Sequence, residues 1–173
     1  LHLLVDEEQK HSALFRRGLE HLGASPLDSH WSDEAFTRLR RALGLRTELA
    51  LFLIAESVAM PYFAALADSA PDPVLRLIGL RIATDERNHI RFQIDGLRES
   101  LRRTPRLLRT MIVVAWWPIA VGAAAVILVD HGAALRSCGL SPITYWRAAV
   151  RQFRDAVRGV LRSARHPPLG PLT

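Results

Sequence analysis

Two stretches of this chain, Glu8-Gln9-Lys10-His11 and Glu86-Arg87-Asn88-His89, place a carboxylate three residues before an imidazole. On a helix, positions i and i+3 share a face and lie about 4.5 Å apart along the axis. A carboxylate and an imidazole at that spacing can ligate one metal ion. Between the motifs stands Glu56, preceded by Leu51-Phe52-Leu53-Ile54-Ala55 and followed closely by Val58, Ala59 and Met60. A carboxylate buried in such surroundings without a partner is costly, so it requires a cation or a hydrogen-bonding network. A single Glu-x-x-His is commonly no more than the polar face of an exposed helix. A metal ion, however, would satisfy Glu56 and both motifs together.

The order Glu-x-x-His, lone Glu, Glu-x-x-His resembles the last three metal-bearing helices of the ferritin-like di-iron carboxylate proteins. In those four-helix bundles two helices give one Glu each and two give Glu-x-x-His. The separations, from 8 to 56 to 86, look more like the oxygen-activating branch than compact ferritins. That branch includes acyl-carrier-protein desaturases, ribonucleotide reductase small subunits and enzymes similar to p-aminobenzoate N-oxygenase. The resemblance covers residues 1–100. It implies that Glu8 and Glu86 bridge two irons, that His11 and His89 take one iron each, and that Glu56 is a terminal ligand. Manganese or a mixed pair suits the same donors.

Asp85 and Glu7 immediately precede the two motif glutamates. Metal-bound histidines usually donate their other N–H to a carboxylate. By resemblance to desaturases and reductase subunits, Asp85 orients His11 across the bundle. Glu7 either does the same for His89 or forms a surface salt bridge. His2, His21, His30, His131 and His166 are assigned no role.

The family's first helix supplies one more Glu, upstream of the first motif. This sequence opens on Leu1-His2-Leu3-Leu4-Val5, which has no N-cap and reads as a helix interior. The expectation is therefore a ferritin-like four-helix bundle whose first helix is absent from this chain. The rival is a degenerate protein with a broken site.

Several departures bear on the reaction. Ile82 stands where the arylamine N-oxygenases carry a further metal-binding His, and Ala59 stands where the desaturases carry a threonine. Tyr62 and Tyr145 are the only tyrosines, and neither is close to the first motif, which disfavours reductase-subunit function. The expected activity is an O2-dependent di-iron oxidation of a small organic or acyl-carrier-bound substrate, with electrons from a donor such as a ferredoxin. Ala59, Met60 and Phe63 are candidates for lining the substrate pocket, although core packing is the commoner use of such residues.

The 173 residues are 49% hydrophobic, which suits one domain with a substantial core. Cys138 is the only cysteine, which excludes an intrachain disulfide and Cys-based zinc or iron–sulfur sites and favours a cytoplasmic setting. The net charge of +6 rests on arginine, Lys10 being the only lysine. Solvated helix faces account for that charge most simply.

The punctuation predicts an all-α chain. Helices are expected over 1–22, 32–43 and, after an interruption at Gly44, 45–68. Further helices are expected over 74–103, 107–134 and 142–165. The domain reading is a di-iron bundle core over 1–104, C-terminal helices packed on it over 105–165, and a Pro-rich disordered tail over 166–173. Met111 to Val129 is a run of nineteen apolar residues with Pro118 and Gly122 inside it, and Arg102, Arg103, Arg106 and Arg109 precede it. That length reaches the membrane-spanning threshold, but a buried fifth helix would be equally apolar and is the favoured reading.

The last helix pairs an apolar stripe with Arg147, Arg151, Arg154, Arg158, Arg162 and Arg165. An acidic carrier protein or an anionic membrane surface would suit that face. Nucleic acid is disfavoured, because no aromatics interleave with the arginines. The alternatives to a soluble oxygenase are thus a membrane-associated di-iron hydroxylase and a metal-free helical interaction protein. A homodimer is in keeping with related bundles.

Overall fold

The computed structural model describes residues 2–26 and 31–162, and every regular element among them is helical. In chain order these are α1 (His2–His21), α2 (Trp31–Ser69), α3 (Pro73–Ser100), α4 (Arg106–Asp130), α5 (Gly132–Ser137) and α6 (Pro142–Leu161). The tail over 166–173 and the loop at 27–30 lie outside the described residues.

The helix ends follow local chemistry. Gly23, at φ 70°, ends α1: the Gly23 N–H donates to the Glu20 carbonyl and the Ala24 N–H to that of Leu19. This double bond pattern needs a left-handed residue, which glycine adopts without steric cost. Asp72 caps α3, its carboxylate accepting from the Val74 and Leu75 amides at 2.7 and 3.2 Å, with Pro73 in the first turn. Ser141 caps α6 in the same way, accepting from the Thr144 N–H, with Pro142 following. The start of α6 at Pro142 is the one expected, and that of α3 at Pro73 lies one residue before the expected 74.

Two boundaries differ from expectation. The helix does not stop at Gly44: α2 runs unbroken through it for 39 residues. A single interior glycine costs only about 1 kcal/mol relative to alanine, which neighbouring turns can offset. Conversely, the segment expected as one helix over 107–134 divides at His131, where α4 ends and the short α5 begins.

Close contacts fix the packing. Gly79 meets Leu66 and Ala67, Gln93 meets Glu56, and Gly96 meets Leu49, so α2 and α3 run antiparallel. Gly18 meets Ile78, and His21 bonds Asp72 at 3.0 Å, so α1 is antiparallel to α3 as well. Helices α1 and α2 therefore run parallel on two flanks of α3. On the outer side, α6 is tied to both long helices. Its Tyr145 hydroxyl donates to the Val58 carbonyl at 2.9 Å, and the Arg98 guanidinium donates twice to the Gly159 carbonyl. One continuous core joins α2, α3, α4, α5 and α6, so the C-terminal helices share their interior with the bundle.

Helix α4 is not the buried helix expected. Only Val113, Trp116, Ala120 and Ala124, at spacings of three and four, are buried, and 22% of its most apolar window is covered. Trp117 meets Phe153 of α6 edge to face at 5.0 Å. Leu107, Met111, Val114, Val121 and Val129 face outward. Two stretches, Thr47–Ser69 and Arg106–Asp130, are long and apolar enough to cross a membrane, though Thr47–Ser69 is half buried within the fold.

Candidate metal centre

Helix α3 supplies the centre of the site. Glu86, His89 and Gln93 repeat at three and four residues, so they share the stripe that faces α1 and α2. All three are buried, as are His11 on α1 and Glu56 on α2. The Glu56 and Glu86 carboxylates and the His89 imidazole offer ligand atoms that all lie within 4.8 Å of one another.

Glu86 is the hub. Its Oε1 lies 3.3 Å from Nδ1 of His11, and its Oε2 lies 3.4 Å from Nδ1 of His89. The two imidazole rings tilt at 37° with centroids 5.8 Å apart. Each ring is anchored by its other nitrogen. Nε2 of His11 bonds Asp85 at 3.2 Å, and Nε2 of His89 bonds Glu7. Asp85 also accepts from Arg81 at 2.8 Å.

The arrangement is reciprocal: the acid preceding each motif holds the histidine of the other motif. Glu7 thus reaches His89 rather than forming a pair with a surface cation. In both rings Nδ1 faces the carboxylate cluster while Nε2 is held from behind, which is how metal-ligating histidines are usually oriented. Glu8 lies on α1 one turn before His11, and its side chain is outside the described residues.

Sequence reasoning missed Gln93. Its side chain is fully buried, and Nε2 donates to Glu56 Oε1 at 2.6 Å. The available signal was its register, four residues beyond His89 and seven beyond Glu86. The Gln93 Oε1 and the neighbouring Ser57 Oγ are buried without hydrogen-bond partners among the described residues. Pro61, also unremarked in the sequence, lies inside α2. It lacks the N–H that would bond the Ser57 carbonyl one turn back.

The electrostatics follow from this crowding. Burial pushes the Glu86 carboxyl up, but hydrogen bonds and charge from His11 and His89 outweigh it and hold the group at about 2. The bond to Glu86 raises His89 to about 9; burial opposes this, while Glu7 and Glu56 add to it. Without metal the cluster is therefore an ion-paired network with a proton held on the His89 imidazole.

The sign of the linkage gives a prediction for metal-free protein. His89, raised from 6.5 to about 9, contributes stability that is fully present below pH 6.5 and lost as pH rises through 9. Glu86, lowered from 4.5 to about 2, contributes stability present above pH 4.5 and lost as pH falls through 2. Urea midpoints of metal-free protein are expected to be highest between pH 4.5 and 6.5 and to decline on both sides. A midpoint unchanged from pH 6 to 9.5 would contradict the network.

No protein-family model matches the chain. Comparison with curated proteins and with solved structures likewise returns no match.

Proposed function

We propose that this protein is a di-iron, O2-dependent oxidoreductase of the ferritin-like type, an oxygenase, hydroxylase or desaturase-like enzyme. The observation that carries the reading is the reciprocal arrangement around Glu86, with two imidazole Nδ1 atoms aimed at one buried carboxylate and each ring braced by a carboxylate behind it. A structural ion pair does not need this second layer, whereas a ligand that must present one nitrogen does.

The residues fit the proposed metal. Glu86 Oε2 is buried, and its one close polar neighbour among the described residues is the His89 Nδ1 at 3.4 Å, a long contact that leaves the oxygen room for a cation. Hard carboxylate oxygens with imidazole nitrogens suit iron or manganese. Glu56, Glu86, His89, His11 and, by its position on α1, Glu8 would hold the metals. Bound iron would supply O2 activation and electron storage.

The chain's own residues supply the setting. Asp85 and Glu7 keep the Nε2 protons in place, which leaves Nδ1 as the coordinating atom. Metal loading must then displace protons from Nδ1, so affinity is expected to rise with pH toward 9. Gln93 fixes one Glu56 oxygen and so orients the other. The apolar side chains around Glu56 exclude water, which protects a reactive centre from side reactions.

The test is anaerobic loading with Fe(II), followed by exposure to O2 under an optical spectrometer. About two irons per chain, with near-ultraviolet absorption that disappears in Glu56→Ala, are expected. A folded protein that takes up no stoichiometric metal would overturn the reading and leave the metal-free helical scaffold. A smaller effect is expected behind the ligands. Asp85→Ala should weaken metal binding roughly 10–100-fold without changing the stoichiometry, as read by competitive chelation.

A membrane-associated version of the enzyme draws support from the exposed apolar face of α4. Packing tells against a spanning role. Ala120 and Ala124 of α4 face Ala149, Val150 and Phe153 of α6, so the exposed Arg147, Arg151 and Arg154 lie at the depth of the middle of α4. Spanning would carry those charges into hydrocarbon, at a cost of a few kcal/mol each by the lowest scales.

A further inference from the structure

Helices α1, α2, α3 and α5 line a partly open cavity of ≈ 250 Å³, and most of the surface lining it is apolar. Its walls include Phe15 of α1, Tyr62 and Leu66 of α2, Leu75 and Ile78 of α3, and Ala134 of α5. No charged side chain lines it. Tyr62, whose phenol is pushed up by burial and then by the neighbouring Cys138, stays neutral there.

The cavity lies along the same three helices that carry the carboxylate cluster. Phe15 is one turn beyond His11, and its ring meets that of Phe63, two turns beyond Glu56, at 6.1 Å. Ile78 is eight residues before Glu86, about 12 Å along the axis. Met60, a candidate pocket residue from the sequence, is directed elsewhere: it lines a surface depression shared with Arg151 and Asp155. Phe63 does not line the cavity itself but packs against Phe15, which does.

We propose that this cavity binds an uncharged hydrocarbon group of the substrate, larger than a single benzene ring, and holds it toward the Glu56–Glu86–His89 cluster. The inference rests on the proposed function for its metal-directed half and on the cavity alone for the ligand class. Polar or charged groups would lose hydration there with no partner to replace it. An engineered apolar cavity of about 150 Å³ stays dry and takes benzene, so this larger one has room for a fused ring or a branched alkyl group. The cavity opens at the end away from the cluster, where the lining residues Leu22, Pro71 and Ser137 are exposed, so a chain or ring would enter there with its apolar end first.

The probe is naphthalene, titrated calorimetrically into metal-free protein and then into Co(II)-loaded protein while the Co(II) visible bands are recorded. One naphthalene per chain is expected, with at least tenfold weaker binding in Ala134→Phe, which fills the cavity from α5. Leu75→Ala, which enlarges the cavity, should gain binding of phenanthrene. In Co(II)-loaded protein, naphthalene should shift the visible bands. No naphthalene binding, or binding that neither variant alters, would overturn the inference even if Co(II) loads. Bands unchanged on saturation with naphthalene would overturn its metal-directed half. Naphthalene binding by a protein that refuses Co(II) would support the hydrocarbon site and sink the di-metal reading instead.

Discussion

Replacing Glu86 by Ala is expected to abolish stoichiometric metal binding, with an affinity loss well beyond the roughly 100-fold ceiling typical of residues behind the ligands. Among the described side chains, this is the carboxylate that faces both imidazoles, with Nδ1 of His11 and of His89 at 3.3 and 3.4 Å. Without it the two rings, still braced by Asp85 and Glu7, point into a void. The metal-free protein should suffer as well. Removing one partner of a buried charged network costs about 3–5 kcal/mol, and the lower end applies because each ring keeps its second carboxylate. His89 should also titrate closer to its ordinary 6.5, since the bond to Glu86 is the largest influence raising it. Calorimetric Co(II) titration and histidine NMR titration would check both points. Retention of tight metal binding by the variant would remove Glu86 from the centre of the site.

The second large effect is expected from Gly79→Ala, on stability. A Cβ at position 79 would stand 2.7 Å from the Ala67 backbone nitrogen and 2.7 Å from the Leu66 Cβ. Backbone cannot swing aside as a side-chain tip can, so α2 and α3 must move apart. Overpacking of this kind costs about 1–3 kcal/mol, partly offset by up to about 1 kcal/mol of better helix propensity. In a domain of this size that is a fall of roughly 2–10 °C in Tm. The same separation would loosen the cluster, because Glu56 and its Gln93 partner sit on these two helices. Gly122→Ala is the control. Nothing lies within 4 Å of a Cβ there, so it should be neutral or mildly stabilising. Equal Tm values for the two variants would show that α2 and α3 do not approach as closely as described.

The sequence was informative wherever a feature depends on neighbours along the chain. The stops and starts at Gly23, Asp72-Pro73 and Ser141-Pro142 are local hydrogen-bond and dihedral effects, and they fall at the expected positions or one residue away. The i, i+3 spacing of Glu86 and His89 dictates a shared helix face, and the two stand together on α3. That an acid precedes each motif was also legible, and a helix makes that acid available to the neighbouring helix.

The tertiary structure decided what local pattern cannot. Gly44 reads as a breaker, yet propensity is a small term that α2 overrides by continuing through it. Composition made α4 look like a buried helix, because hydropathy counts apolar residues without knowing how much of their surface neighbours cover. Gln93 could be singled out only once α2 was packed on α3, since its partner lies 37 positions away. The choice of Glu7 between a surface cation and His89 was likewise settled by the antiparallel register of α1 against α3. Residue types and periodicity determined which groups could share a face. Which faces meet, and what is shut away from water when they do, depended on long-range packing.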